Sequence, residues 1–172
     1  MNKLKFLLIL FGYQLTWFMC VFGELLYNSF LPGLLCGLVF LLVCFFNTFN
    51  KKKFILIVFS ISIIGYLFDT ILVLLQIYKF ETSFNLGFLP IWMLVLWPSF
   101  AILFDEVFII LSKYKLIAIL LSSIIGPLTY FSGDPLGIIS INQIFLFFIL
   151  MIIFWAVLMI FYVNILVKLK FN

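Results

Sequence analysis

Asp69 is the residue of this chain best suited to chemistry, because it is the only charged residue between Lys53 and Lys79. The segment between those two lysines is long and apolar enough to cross a bilayer as one helix. A carboxylate in such a helix loses its water and needs a partner, a cavity or a proton, so it marks a candidate site by default. We expect Asp69 to act as an acid–base group or to hold a proton or a cation.

Two more carboxylates, Glu24 and Asp134, lie near the ends of other apolar segments and are catalytic candidates beside Asp69. Polar and aromatic residues of the same segments are the candidates for lining a pocket around them: Gln14, Trp17, Gln76, Trp92, Trp97 and Tyr130. An aromatic belt at the membrane interface is the alternative interpretation of the tryptophans and the tyrosine. For the carboxylates, the alternative is a hydrogen bond that only joins helices.

The chain contains no His and no Arg, which excludes imidazole metal ligation and a bidentate arginine clamp on a phosphate. Cys20, Cys36 and Cys44 lie in apolar segments without CxxC spacing, so we interpret them as small packing residues. We therefore predict neither a cofactor nor a bound metal.

The composition identifies the class of protein. Hydrophobic residues make up 67% of the chain and charged residues 9%, whereas a soluble domain has about 45–50% apolar and about 25% charged residues. The excess of apolar residues indicates a membrane protein with membrane lipids around it. The net charge of +4 comes from scattered lysines rather than a basic face, so no nucleic acid partner is predicted.

Six apolar spans with short connections predict an all-α polytopic membrane protein, a compact bundle of six transmembrane helices in a single domain, residues 1–172. The spans cover residues 5–26, 30–47, 54–78, 88–111, 116–132 and 141–167. The first span follows two lysines but lacks a small-residue cleavage site, so we expect a retained helix rather than a signal peptide. A GxxxG motif, Gly33 to Gly37, is a weak indication of a homodimer or another membrane-protein partner.

The lysines predict the orientation of these spans. Six spans bring nine of the ten lysines to one side and leave only Lys79 on the other. Because lysines accumulate on the cytoplasmic side, we predict that both termini are cytoplasmic. Asp69, about 22 Å along its helix from Phe54, then lies in the outer third of the membrane, at a level similar to that of Glu24 and Asp134.

Helical spacing predicts which residues share a face with the carboxylates. On the first span the shared face carries Gln14, Trp17, Val21 and Glu24, and on the third it carries Ser62, Gly65, Asp69 and Gln76. We expect these faces to meet protein rather than lipid, and to form a small acidic pocket near the outer leaflet.

Four motifs resemble an uncharacterised family of small bacterial inner-membrane proteins, domain of unknown function 2878. They are YQLTW (13–17), GYLFDT (65–70), PIWMLVLWPSFA (90–101) and GPLTYFSGDPLG (126–137). The resemblance implies a location in the bacterial inner membrane and a gene that lies near genes for lipid-modifying enzymes. It implies no catalytic residue.

Three functions are compatible with the sequence. The first is an enzyme or accessory factor of membrane-lipid metabolism that uses the carboxylates as acid–base groups. The second is a small proton- or cation-coupled transporter or permease subunit. The third is a structural partner in a membrane complex.

Overall fold

The computed structural model describes residues 3–107 and 113–166, and these residues form a helical protein. The helices are α1 (Lys3–Tyr27), α2 (Leu31–Phe46), α3 (Lys51–Leu74), α4 (Met93–Glu106), α5 (Lys115–Phe131) and α6 (Ile144–Phe161). A π-helical turn, Tyr162–Leu166, continues α6. The predicted all-α class is confirmed.

Four short strands accompany the helices, and the sequence analysis missed all of them. They are β1 (Tyr78–Phe80), β2 (Asn85–Leu86), β3 (Leu89–Pro90) and β4 (Ile139–Ile141). Strands β2 and β3 form a hairpin whose turn begins at Gly87, with φ of +69°. Glycine adopts this conformation without strain, which suits it to a two-residue hairpin turn.

These strands explain why three helix boundaries differ from the predicted spans. Helix α3 ends at Leu74 rather than at residue 78, because Gln76 has a φ of +55° and β1 follows. Helix α4 begins at Met93 rather than at 88, after the hairpin, and α6 begins at Ile144 after β4. The predicted ends of these two spans, residues 108–111 and 167, lie outside the described residues.

Three helical stretches are long and apolar enough to cross a membrane. They are Leu4–Tyr27, Lys51–Leu74 and Ile144–Asn164, with mean hydropathies of 1.8, 2.3 and 3.2. Helices α2, α4 and α5 are also apolar but shorter. Large hydrophobic side chains are widely exposed, for example Phe11 at 67% and Phe145 at 85%. Such a surface suits lipid contact.

The chain divides into two compact units, and the first comprises Met1–Ile71 and Thr82–Val107. In this unit α1, α2 and α4 pack against one another. Gly33 lies against Cys20 of α1 and Gly37 against Val95 of α4, so closely that a Cβ atom at either glycine would clash. The GxxxG motif therefore packs helices together inside this unit. It no longer supports a homodimer, which stays a prediction.

The second unit comprises Leu72–Glu81 and Phe108–Asn172. Within it α5 packs on α6, where the Ser122 hydroxyl donates to the Trp155 carbonyl oxygen at 3.2 Å. Strand β1 pairs antiparallel with β4, joining Tyr78 to Ile141 at one end and Phe80 to Ile139 at the other.

Candidate functional site

Asp69 lies on α3 with no exposed surface and accepts a hydrogen bond from Trp97 of α4. The distance from Trp97 Nε1 to Asp69 Oδ2 is 2.7 Å. The indole ring lies against Gly65, one turn earlier on α3, where any side chain would overlap it. Glycine thus provides the space and aspartate the acceptor for one buried tryptophan.

A second bond joins the same two helices. The Tyr66 hydroxyl donates to the carbonyl oxygen of Met93 at 3.0 Å. The residue after Trp97 is Pro98, which lies inside α4 and has no N–H to donate to the preceding turn. Helix α3 is therefore attached to α4 by polar contacts at two levels, and both contact residues of α4 precede this proline in the sequence.

Glu24 holds a second tryptophan in the same unit. Its side chain is 7% exposed, and Oε1 accepts from Trp92 Nε1 at 3.2 Å. Its other oxygen, Oε2, accepts from the backbone N–H of Ser83 at 2.9 Å. The Glu24 carboxylate, near the end of α1, thus binds both Ser83, just before the hairpin, and Trp92, just before α4.

The two carboxylates accept hydrogen bonds from neutral donors. An indole N–H is neutral and donates only. Asp69 accepts the indole N–H of Trp97. Glu24 accepts the indole N–H of Trp92 on one oxygen and the backbone N–H of Ser83 on the other.

The predicted pocket residues of this unit differ in how far they are buried. Trp92 and Trp97 are each only 3% exposed, so the aromatic-belt interpretation of these two is wrong. Gln14 is exposed, and Trp17 is half-buried with its ring on Phe18. Val21 of the predicted face is buried with Glu24, and so are Cys20 and Thr16, which precede Glu24 by one turn and two turns.

The remaining candidates, Asp134, Gln76 and Tyr130, belong to the second unit. Asp134 Oδ1 accepts from the backbone N–H of Ile141 at 3.0 Å, which fixes the end of β4. Gln76 is exposed beyond the end of α3, off the predicted face. Its backbone carbonyl oxygen accepts from the side-chain amide of Asn142 at 3.1 Å. The Tyr130 ring packs on the ring of Tyr78, with centroids 6.1 Å apart.

An apolar groove of about 250 Å³ runs along α3 in the first unit. Its lining residues are Phe54, Ile55, Val58, Phe59, Ser62, Ile63, Tyr66 and Pro98. Ile55 is 54% exposed and Phe59 65% exposed, so the groove is open along one side. The Asp69–Trp97 pair is close in sequence to two lining residues of the groove. Tyr66 precedes Asp69 by three residues, and Pro98 directly follows Trp97.

Sequence reasoning missed how these residues are paired. It named Trp97 among the residues that could line a pocket around the carboxylates, but it did not pair Trp97 with Asp69. The available signal was the spacing of Gly65 and Asp69, because a glycine one turn before a buried acceptor leaves space for a large donor. The Ser83 N–H had no signal in the sequence, since every residue except proline carries that group.

These features define an all-helical protein with three helices long and apolar enough to cross a membrane and with two buried carboxylates bound to tryptophans. Residues 6–161 match the family described as "Protein of unknown function (DUF2878)", and the chain belongs to this family. The predicted family resemblance is thereby confirmed. No curated protein and no solved structure matches the chain.

Proposed function

We propose that the chain is a multi-pass protein of the bacterial inner membrane, with six transmembrane helices and both termini in the cytoplasm. Three helices have the required length, and α2 and α5, with 16 and 17 residues, are near the lower limit for a span. The hairpin before α4 extends that 14-residue helix toward the membrane surface. The one-sided distribution of lysines supports the orientation.

The protein binds a membrane lipid and acts as an accessory factor of membrane-lipid metabolism. The groove along α3 carries this proposal, because its wall is apolar and open on the side of the exposed residues Ile55 and Phe59. A groove of this kind in a transmembrane helix faces acyl chains rather than water. Asp69 has no exposed surface, which favours a lipid-holding role over direct catalysis on a bound lipid.

Asp69 and Trp97 support the groove by joining α3 to α4 beside it. Tyr66 belongs both to the groove wall and to the second bond between these helices. The polar pairs thus determine where Pro98 of α4 lies relative to the wall formed by α3. In this function the two carboxylates are positioning residues.

Lipid retention by the purified protein tests the proposal. Native mass spectrometry should find a lipid on the full-length protein after detergent extraction. The substitution Val58→Trp fills the groove and should remove that lipid. Val157→Trp, at a 57% exposed position of α6, is the matched control and should leave it bound. Equal lipid retention by all three proteins, or an unchanged lipid profile in a deletion strain, would contradict the proposal.

A proton-coupled carrier is the second candidate, and the burial of Asp69 in an apolar helix favours it. Asp69 has no exposed surface, and carboxylates within membrane-spanning helices often belong to proton or ion pathways. Proton flux into vesicles should then require Asp69 and disappear in Asp69→Asn, which still offers Trp97 an acceptor. Vesicles that show no flux with the unsubstituted protein would rule out this candidate.

A further inference from the structure

Gln14 of α1 is a polar residue on a surface that is otherwise apolar. Among the helical side chains that the structure describes, it is the only amide or charged group that is exposed away from a helix end. The Gln14 amide forms no hydrogen bond with any described residue. It lies within the stretch Leu4–Tyr27, which is long and apolar enough to cross a membrane. Such an exposed amide therefore needs an explanation.

The position of Gln14 along α1 puts its amide deep in the hydrocarbon. Gln14 follows Leu4 by ten residues, which is about 15 Å along the helix axis. Half of a hydrocarbon core of about 30 Å is also about 15 Å, so Gln14 lies near the midplane. Its side chain is too short to reach the interface from there, and lipid tails offer neither a donor nor an acceptor. An amide without a partner is costly at this depth, so it indicates another helix that supplies one.

Exposed apolar residues continue the face of Gln14 along α1 in both directions. This Gln14 stripe consists of Leu7, Phe11, Gln14, Phe18 and Leu25. Its members follow one another at steps of four, three, four and seven residues, which is the repeat by which two helices pack along their length. The stripe extends over about 27 Å of the helix axis. Thr16, on the opposite face, is buried against Gly37 of α2, so the packing inside this unit leaves the stripe uncovered.

A second copy of the chain supplies the partner that this amide needs. A glutamine amide carries both a donor and an acceptor, so two of them can bond to each other reciprocally. Copies that enter a membrane in the same direction have parallel α1 helices, and about a two-fold axis each residue of the stripe meets its own counterpart. A different protein would need a polar residue at the same depth, whereas a second copy carries one there.

We propose that the Gln14 stripe is the interface of a parallel homodimer, in which the two Gln14 amides are hydrogen bonded near the membrane midplane. The inference rests on the proposed transmembrane location of α1. It is independent of lipid binding in the groove along α3, and the GxxxG motif of α2 takes no part in it.

The affinity between copies in a bilayer tests the amide pair. Full-length protein carrying a donor or an acceptor fluorophore is mixed in liposomes, and energy transfer is measured as the ratio of protein to lipid is varied. Gln14→Leu should raise the dissociation constant of the dimer about 3- to 30-fold, the range expected for hydrogen bonds between helices in membranes. Gln14→Asn keeps an amide and should restore most of the affinity. Thr129→Val, at an exposed position of α5, is the control and should change nothing.

Disulfide cross-linking in native membranes tests which face of α1 meets the second copy. With a copper oxidant, Phe18→Cys should form a covalent dimer. Met19→Cys lies one residue further on and about 100° around the helix, so it should stay monomeric. The unsubstituted protein measures any bridge between native cysteines.

The possible results separate this inference from the proposed location. Equal dissociation constants for Gln14→Leu and the unsubstituted protein, or equal cross-linking of the two cysteine variants, would overturn the inference. So would a protein that stays monomeric in liposomes. The membranes are first washed with alkaline carbonate, which releases proteins that are not embedded. Release of the chain into this wash would instead contradict the proposed transmembrane location, and with it the dimer.

Discussion

The indole ring of Trp97 lies against the backbone of Gly65, so closely that no side chain fits at position 65. One turn further along α3, Asp69 accepts the N–H of the same indole at 2.7 Å. Gly65 and Asp69 thus form a slot for a single tryptophan from α4. This arrangement accounts for a carboxylate in an apolar helix by its geometry, before any chemistry is assigned to it.

Gly65→Ala should destabilise the protein, because the added methyl group overlaps the Trp97 ring. Overpacking of this kind costs about 1–3 kcal/mol. Thermal unfolding of the detergent-solubilised protein, followed by loss of the monodisperse peak in size-exclusion chromatography, measures the effect. Leu67→Ala, at a 59% exposed position of the same helix, should change the melting temperature little. A melting temperature for Gly65→Ala equal to that of the unsubstituted protein would show that a methyl group fits between α3 and the Trp97 ring.

The hydrogen bond between Trp97 and Asp69 should be measurable as a coupling energy. Trp97→Phe removes the donor and Asp69→Leu removes the acceptor, and each single change leaves a buried polar group without this partner. The double variant should therefore be less destabilised than the sum of the two single variants. Hydrogen bonds between helices in membranes average about 0.6 kcal/mol and reach about 1.7 kcal/mol, so we expect a coupling of about 0.6–1.7 kcal/mol. Strict additivity of the unfolding free energies would mean that the bond contributes nothing.

Asp69 itself was predictable from the sequence, but its partner was not. A lone charge in an apolar segment stands out by composition. Trp97 is 28 residues away, and its approach to Asp69 depends on where α4 begins. The sequence analysis started that span at residue 88, since Phe88 and Leu89 are as apolar as the helix that follows. Only the hairpin pairing of β2 and β3 moves the start to Met93.

Glu24 should control the segment that leads into α4. Glu24→Ala removes the acceptor of both the Ser83 N–H and the Trp92 indole N–H, so amide exchange in this segment should increase. Glu24→Gln keeps one acceptor oxygen and should give an intermediate increase. Hydrogen–deuterium exchange with peptide resolution measures both. Glu81→Gln, which changes an exposed carboxylate paired with Lys79, serves as the control.

A graded order of amide exchange, from Glu24→Ala through Glu24→Gln to the unsubstituted protein, would support a holding role for Glu24. If Glu24→Gln exchanges as slowly as the unsubstituted protein while Glu24→Ala does not, a single oxygen is enough for both donors.

The face of α1 shows a second limit of the sequence. Counting three and four residues back from Glu24 leads to Val21, Trp17 and Gln14, whereas counting four at a time leads to Cys20 and Thr16. Both routes are compatible with helical geometry. The structure buries Val21 of the first route but otherwise follows the second, because Gly33 of α2 lies directly against Cys20 and leaves no space for a large residue there. This contact involves a different helix, so the periodicity of α1 alone does not reveal it.

Asp134 should tolerate loss of its charge but not loss of its acceptor oxygen. Asp134→Asn still offers Oδ1 to the Ile141 N–H, and exchange of the amides in β1 and β4 should stay slow. Asp134→Ala removes the acceptor and should accelerate this exchange. The same peptide-resolved exchange experiment measures both variants. If Asp134→Asn abolished the phenotype of the protein while amide exchange stayed unchanged, the charge of Asp134 would be needed for function, beyond its role in holding β4.

The proposed orientation predicts which loops react with a thiol reagent that does not cross membranes. Glu81→Cys, in the exposed segment after β1, should be labelled in intact spheroplasts. Lys52→Cys and Lys115→Cys should be labelled only after the membrane is permeabilised, because lysines accumulate on the cytoplasmic side. The unsubstituted protein measures any reaction of the native cysteines. Labelling of Lys52→Cys in intact spheroplasts would contradict the proposed orientation and place both termini on the outer side.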